Sequence, residues 1–186
     1  MNLRRIGIAV LAALCLFFAQ STLAQVQPAV NGHAAKADSS TWNLFLGGSF
    51  ARSAPQNAYG WDSAVSEYPY RSLHWIGGTI EASGHYYNKS GASTQLYTVM
   101  GGPSAALRSR AVQPFARFLL GGIVNRVSAG GQALTSDHFG LAVGGGVDWP
   151  VSSRAAIRTQ GDWIPYWVQS QREDVFRASA GFAFKF

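Results

Sequence analysis

The chain has 186 residues, enough for one domain, and is 47% hydrophobic but only 13% charged, against about 25% charged in a typical soluble domain. Its single cysteine, Cys15, excludes a disulfide framework and a cysteine-ligated metal. The basic residues are scattered singly rather than gathered on one face, which excludes a dedicated nucleic-acid binder.

Arg4 and Arg5, the apolar run Ile6–Ala19 and the small residues Thr22-Leu23-Ala24 form, in order, the parts of a secretory signal peptide over residues 1–24. That run is shorter than the roughly 20 residues a membrane-spanning helix requires. Cleavage after Ala24 removes two arginines and leaves 13 Lys+Arg against 9 Asp+Glu, a mild net charge of +4. Residues 25–41 are small and polar without periodicity, and read as a flexible periplasmic linker.

From residue 42 to 186 the sequence resolves into eight candidate strands, at 42–52, 60–68, 73–86, 95–107, 112–125, 138–149, 155–167 and 174–186. Each is near or above the ~9–11 residues of a tilted membrane strand. The connections alternate. Ser53–Tyr59, Tyr87–Thr94, Arg126–Asp137 and Val168–Glu173 read as polar or Gly/Ser-rich loops, three of the four long, and Pro69–Ser72, Arg108–Ala111 and Pro150–Arg154 as tight turns. Outer-membrane barrels carry long loops outside and short turns in the periplasm. An even strand number then places both chain ends on the periplasmic side.

Alternation along the strands sets the faces, because successive side chains point to opposite sides. In the sixth strand Phe139, Leu141, Val143, Val147 and Trp149 oppose His138, Gly140, Ala142, Gly144, Gly146 and Asp148. In the eighth, Phe176, Ala178, Ala180, Phe182, Phe184 and Phe186 oppose Arg177, Ser179, Gly181, Ala183 and Lys185. The third, fifth and seventh divide the same way, so Glu81, Arg117, Asp148, Arg158, Asp162 and Arg177 all fall on the polar face. An arginine facing lipid at mid-membrane costs about 2–4 kcal/mol. Three of them would consume most of a domain's ~5–15 kcal/mol stability. The second strand is the exception: Trp61, Ser63 and Val65 against Asp62, Ala64 and Ser66 make no persuasive membrane face.

A soluble sandwich also alternates, with its apolar face inward. Here the polar face is Gly, Ala, Ser and Thr with isolated charges, as in a crowded lumen. Aromatic residues gather at strand ends, with Trp42, Tyr68, Tyr70, Trp75 and Trp149 at one end. Tyr59, Tyr86, Tyr87, Tyr166 and Trp167 stand at the other, as two interfacial girdles would. The expected fold is therefore all-β, an eight-stranded antiparallel up-and-down transmembrane β-barrel.

The ending Gly181-Phe182-Ala183-Phe184-Lys185-Phe186 resembles the C-terminal signal by which outer-membrane barrels are recognised for assembly, carried by Gly181, Phe182, Phe184 and Phe186. With "YTVMGGPSAAL", "VQPFARFLLGG", "FGLAVGGGVDW" and "AAIRTQGDWIP", the span Thr41–Phe186 is similar to the OmpA/OmpX-like outer-membrane β-barrel family. The resemblance implies the outer membrane of a Gram-negative-type bacterium, with the barrel-assembly machinery as a transient partner. Outer-membrane lipids and lipopolysaccharide would be the surroundings. It implies no cell-wall tether, since the peptidoglycan-binding domain of full-length relatives is not in the sequence.

The six interior charges either pair across a filled lumen or line an ion path; three acids matching three arginines favours pairing. The repeated glycine pairs fit strand bends rather than a phosphate loop, which would have to open a helix. His33, His74, His85 and His138 match no metal spacing. Only His85 and His138 could meet, near the outer rim. Ser136-Asp137-His138 cannot form a catalytic set, because neighbours on a strand point apart. Asn88-Lys89-Ser90 matches a glycosylation acceptor by chance-level criteria. Arg71, Arg108, Arg110, Arg154 and Lys185 would lie near inner-leaflet headgroups. The expected protein is non-enzymatic, cofactor-free and monomeric, with a structural or surface-interaction role; a narrow pore and a lipid A-modifying enzyme are the alternatives.

Overall fold

The computed structural model describes residues 41–53, 56–69, 75–89, 92–109, 111–130, 132–168 and 171–186. The expected signal peptide and most of the linker lie outside the described residues, as do His33, His74, Tyr70, Arg71, Ser90 and Arg110.

Eight strands form: β1 (Thr41–Ser53), β2 (Gln56–Tyr68), β3 (Ile76–Lys89), β4 (Ala92–Ala106), β5 (Gln113–Ala129), β6 (Gln132–Pro150), β7 (Ala155–Val168) and β8 (Gln171–Lys185). Each pairs antiparallel with its sequence neighbour, and β8 returns to β1 from Asn43↔Lys185 to Arg52↔Phe176, closing the barrel. Closure leaves no edge through the barrel wall, the condition for crossing hydrocarbon with strands.

Alternation sets the two faces as the sequence requires. Leu46, Val65, Val99, Phe118, Leu120, Val143, Ile157, Phe176 and Phe182 are exposed on the outside. Their chain neighbours Phe45, Ala64, Met100, Arg117, Leu119, Ala142, Arg158, Arg177 and Ala183 are buried. A soluble protein would not leave so many large apolar side chains in water. β2 obeys the same rule, with Asp62, Ala64, Ser66 and Tyr68 inside.

Three expectations are corrected. The connections expected as long loops are strands: only two residues separate β1 from β2, β3 from β4, β5 from β6 and β7 from β8. At the opposite rim the connections run through 69–75, 107–112 and 151–154. Beyond a bilayer both faces of a strand meet water, so the segments lose their alternation and read as loops. The turn between β5 and β6 places Gly130 at φ 59°, a left-handed conformation that glycine tolerates. Tyr68 and Tyr166, expected in the girdles, are inside and buried. Finally, the lumen is not polar throughout. Ala51, Met100, Leu119, Ile123, Ala142, Ile164, Tyr166 and Val175 form an apolar cluster within it.

Candidate functional site

The polar lumen begins where inward positions of β2, β3, β5, β7 and β8 converge. Arg117 on β5 donates from Nε to Asp162 Oδ1 at 3.0 Å and from Nη2 to Asp162 Oδ2 at 2.8 Å. The same Nη2 lies 2.7 Å from Glu81 Oε2 on β3. Arg177 on β8 reaches Asp162 Oδ2 from Nε at 3.1 Å and from Nη2 at 2.8 Å. It also donates to Ser83 Oγ at 3.0 Å and to Glu81 Oε1. Four strands are thereby tied through four charged groups and a serine. All are buried, which ionised groups tolerate only when partnered like this.

Asp148 and Arg158 form a separate pair nearer the rim where β1 begins and β8 ends. Arg158 donates from Nε to Asp148 Oδ1 at 2.6 Å and from Nη2 to Oδ2 at 2.8 Å. Its guanidinium stands 4.4 Å from the Phe115 ring centre and 5.4 Å from that of Phe45. Lys185 donates to Gln113 Oε1 at 2.5 Å beside them. The cavity lined by Asn43, Tyr68, Gln113, Asp148, Arg158 and Lys185 measures about 30 Å³. That admits water, and is far below the ~300 Å³ of a small-molecule site.

The structure thus brings four of the six expected charges into one network and sets the other two apart as a pair. It adds a residue that the sequence reading passed over. Asp62 is 1% exposed; its Oδ2 accepts from Gln160 Nε2 and from Ser179 Oγ, both at 2.7 Å, and lies 3.9 Å from Arg177 Nε. The lumen therefore holds four acids rather than three against the three arginines. The available signal was register: Asp62 stands directly opposite Ser83, on the established polar face of β3.

Hydrogen-bond direction propagates outward from Asp62. Its carboxylate takes the single proton of Ser179, so Ser49, 3.0 Å away, donates to Ser179, and His85 Nε2 donates to Ser49 at 2.8 Å. His85 is accordingly a member of the lumen lining and not of a rim metal site; His138 instead packs on Tyr166, with ring centres 5.8 Å apart. Asp62, Glu81 and Asp162 bring oxygens within 4.8 Å of one another, a spacing that could hold a cation. The Arg177 guanidinium contacts all three and fills that position.

The outer surface carries its own constellation. Trp75, Trp149, Tyr86 and Trp167 are exposed at the barrel's ends, and Trp42 is half-buried. Tyr87 follows His85 onto the inward side of β3 by alternation. Gly181 is directly opposite Gly47 on β1, while Phe182, Phe184 and Phe186 face outward.

No protein-family model matches the chain, and no curated protein does. Solved structures do match. Neisserial surface protein A superposes with TM-score 0.61 at 16% identity, over 79% of this chain and 97% of that one. Ail, the attachment invasion locus protein of Yersinia pestis, gives 0.55 at 15%, over 79% and 97%. OprG, an outer-membrane protein of Pseudomonas aeruginosa, gives 0.55 at 12%, over 80% and 97%. At these identities the likeness is one of fold.

Proposed function

We propose that this chain, which has the eight-stranded fold of outer-membrane β-barrels, is an integral outer-membrane protein without enzymatic activity that works through contacts at its surface. The observation that carries this reading is the free edge of β6. Residues Gln132–Pro150 form β6, and its pairing with β7 ends at Gly140↔Tyr166. Among the described residues, Gln132 to Phe139 pair with β5 alone.

An unpaired strand edge presents a row of N–H and C=O groups to which an extended segment can add. Ordinary safeguards are sparse along this one. The sequence Gln-Ala-Leu-Thr-Ser-Asp-His-Phe has no lysine or proline, and Leu134 is 75% exposed. A second copy in the same membrane fits poorly. A two-fold axis along the membrane normal makes both β6 strands run the same way and cross at twice their ~35–45° tilt, so no antiparallel ladder forms. The partner that fits is an extended segment of another protein.

The interior supports a contact role over conduction or catalysis. An ion network and an apolar cluster lie in series along the lumen. The serine–histidine contact at Ser49 and His85 is buried within it, out of reach of a lipid substrate. Peptides selected from a displayed library against the protein in nanodiscs provide the test. Binders should protect the amides of residues 132–139 from hydrogen exchange and should be lost in Leu134→Lys. Binders that leave those amides unprotected contradict the reading, and altered lipid A in an overproducing strain contradicts its non-enzymatic part.

A further inference from the structure

One outward row of side chains carries donors that none of the described residues takes up. By register Tyr86 on β3 stands directly opposite Gln95 on β4, and Gln95 directly opposite Arg126 on β5. Neighbouring strands lie ~4.8 Å apart, so the three span roughly 10 Å along the barrel surface. Tyr86 Oη accepts from Tyr97 Oη at 3.3 Å and from Trp61 Nε1 at 3.4 Å, which leaves its own proton unspent. Gln95 Oε1 lies 3.4 Å from Tyr97 Oη, whose one proton goes to Tyr86, and the Gln95 NH₂ group donates to none of the described residues. Arg126 is exposed and forms no ion pair among the described residues. Asp137, the nearest acid by register, is opposite Val124, one diagonal step from Arg126.

Depth fixes what such a row meets. The outward positions of β5 run Pro114, Ala116, Phe118, Leu120, Gly122, Val124 and then Arg126. Pro114 to Val124 covers about 33 Å along the strand at ~3.3 Å per residue, and a tilt near 45° turns that into roughly 23 Å of height. This is close to the ~25 Å apolar band of an outer-membrane barrel, so Arg126 is the first outward side chain above it. The flanking aromatic row agrees: Phe50 packs on Tyr59 at 5.3 Å between ring centres, and Tyr59 is directly opposite Tyr86.

We propose that Tyr86, Gln95 and Arg126 form a binding site for the phosphate of a phosphorylated outer-leaflet glycolipid. A hydroxyl donor, an amide donor and a guanidinium, without a carboxylate among them, suit a phosphate's acceptor-only oxygens. The exposed Tyr59 and Trp61 beside them give the acyl-chain side of the headgroup an apolar wall.

Binding is measured by native mass spectrometry on the full barrel in maltoside micelles. The probes are diphosphoryl lipid A, the same lipid after enzymatic dephosphorylation, and inorganic phosphate. The expected result is retention of one diphosphoryl lipid A, about tenfold weaker retention in Arg126→Ala, and a several-fold loss in Tyr86→Phe, which keeps the ring. Arg126→Lys should retain most of the affinity. Arg52→Ala serves as the comparison, since Arg52 is an exposed outward arginine next to Asn57 with no converging row. It should bind like the wild type. Equal retention of the dephosphorylated lipid, or equal losses in Arg52→Ala and Arg126→Ala, overturns the proposal. Displacement by millimolar inorganic phosphate overturns the assignment to a lipid.

Discussion

Arg117 and Asp162 clasp each other across a glycine: Gly144 on β6 is directly opposite Arg117 on one side and Asp162 on the other. The two-bond contact from β5 to β7 spans the intervening strand because that strand contributes no side chain there. A Cβ at Gly144 would run into Asp162 Oδ1 and the Gly161 carbonyl, with Asp162 Cα only 2.9 Å away. Two of these obstacles are backbone and the third is the end of a short side chain held by Arg117, so none can swing clear. Gly144→Ala should cost about 1–3 kcal/mol in the urea midpoint of the refolded barrel, the usual penalty of overpacking. A midpoint equal to wild type would mean the clasp is looser than drawn.

Arg117→Leu removes the cation from Asp162 and Glu81 and leaves Arg177 to serve both. Breaking a buried pair from one side costs about 3–5 kcal/mol, and the remaining arginine keeps the loss near the lower figure. Arg117→Leu with Asp162→Leu should recover part of it, because both unbalanced charges are then gone. Equilibrium unfolding in lipid vesicles, followed by heat-modifiable gel mobility, reads both variants.

Two barriers in series should keep the barrel electrically silent. Water entering from the hairpin rim meets Ile123, Ile164, Val175, Leu119 and Met100 before it reaches Arg117 and Arg177. Planar bilayers holding the wild-type protein should show no discrete conductance steps. Met100→Ser with Leu119→Ser removes only the apolar barrier, so it should remain silent too. Steps in the wild-type protein would favour the narrow-pore alternative, and steps in the double variant alone would show that the apolar layer is the barrier.

The parity of polar and apolar residues made the barrel legible, and energy made the parity trustworthy: Arg117, Arg158 and Arg177 cannot face lipid. What escaped was whatever parity could not separate. Met100, Leu119 and Ile164 are apolar like the lipid-facing Val99, Leu120 and Trp163 beside them, so composition conceals an apolar layer inside the lumen. Asp62 hid in a strand whose outward Ser63 and small Ala64 blur the contrast between faces. The projecting ends of β5 and β6 resemble a loop in sequence for a different reason. Strand residues with water on both sides have no cause to alternate, and only the ladder with β5 reveals their structure. Tyr68 and Tyr166 show that an aromatic at a strand end is a girdle residue only if its parity agrees.

The central claim is that outward side chains touch hydrocarbon while their immediate neighbours do not, and one measurement addresses it directly. Cys15 is the only cysteine and lies in the expected signal peptide, so single cysteines in the mature chain can be labelled uniquely. Fluorophores attached at positions 120, 143 and 182 should be quenched by nitroxides carried on lipid acyl chains, and the same probe at 119 and 142 should not. Equal quenching at Leu119 and Leu120, or strong quenching of both by a water-soluble agent, would contradict it.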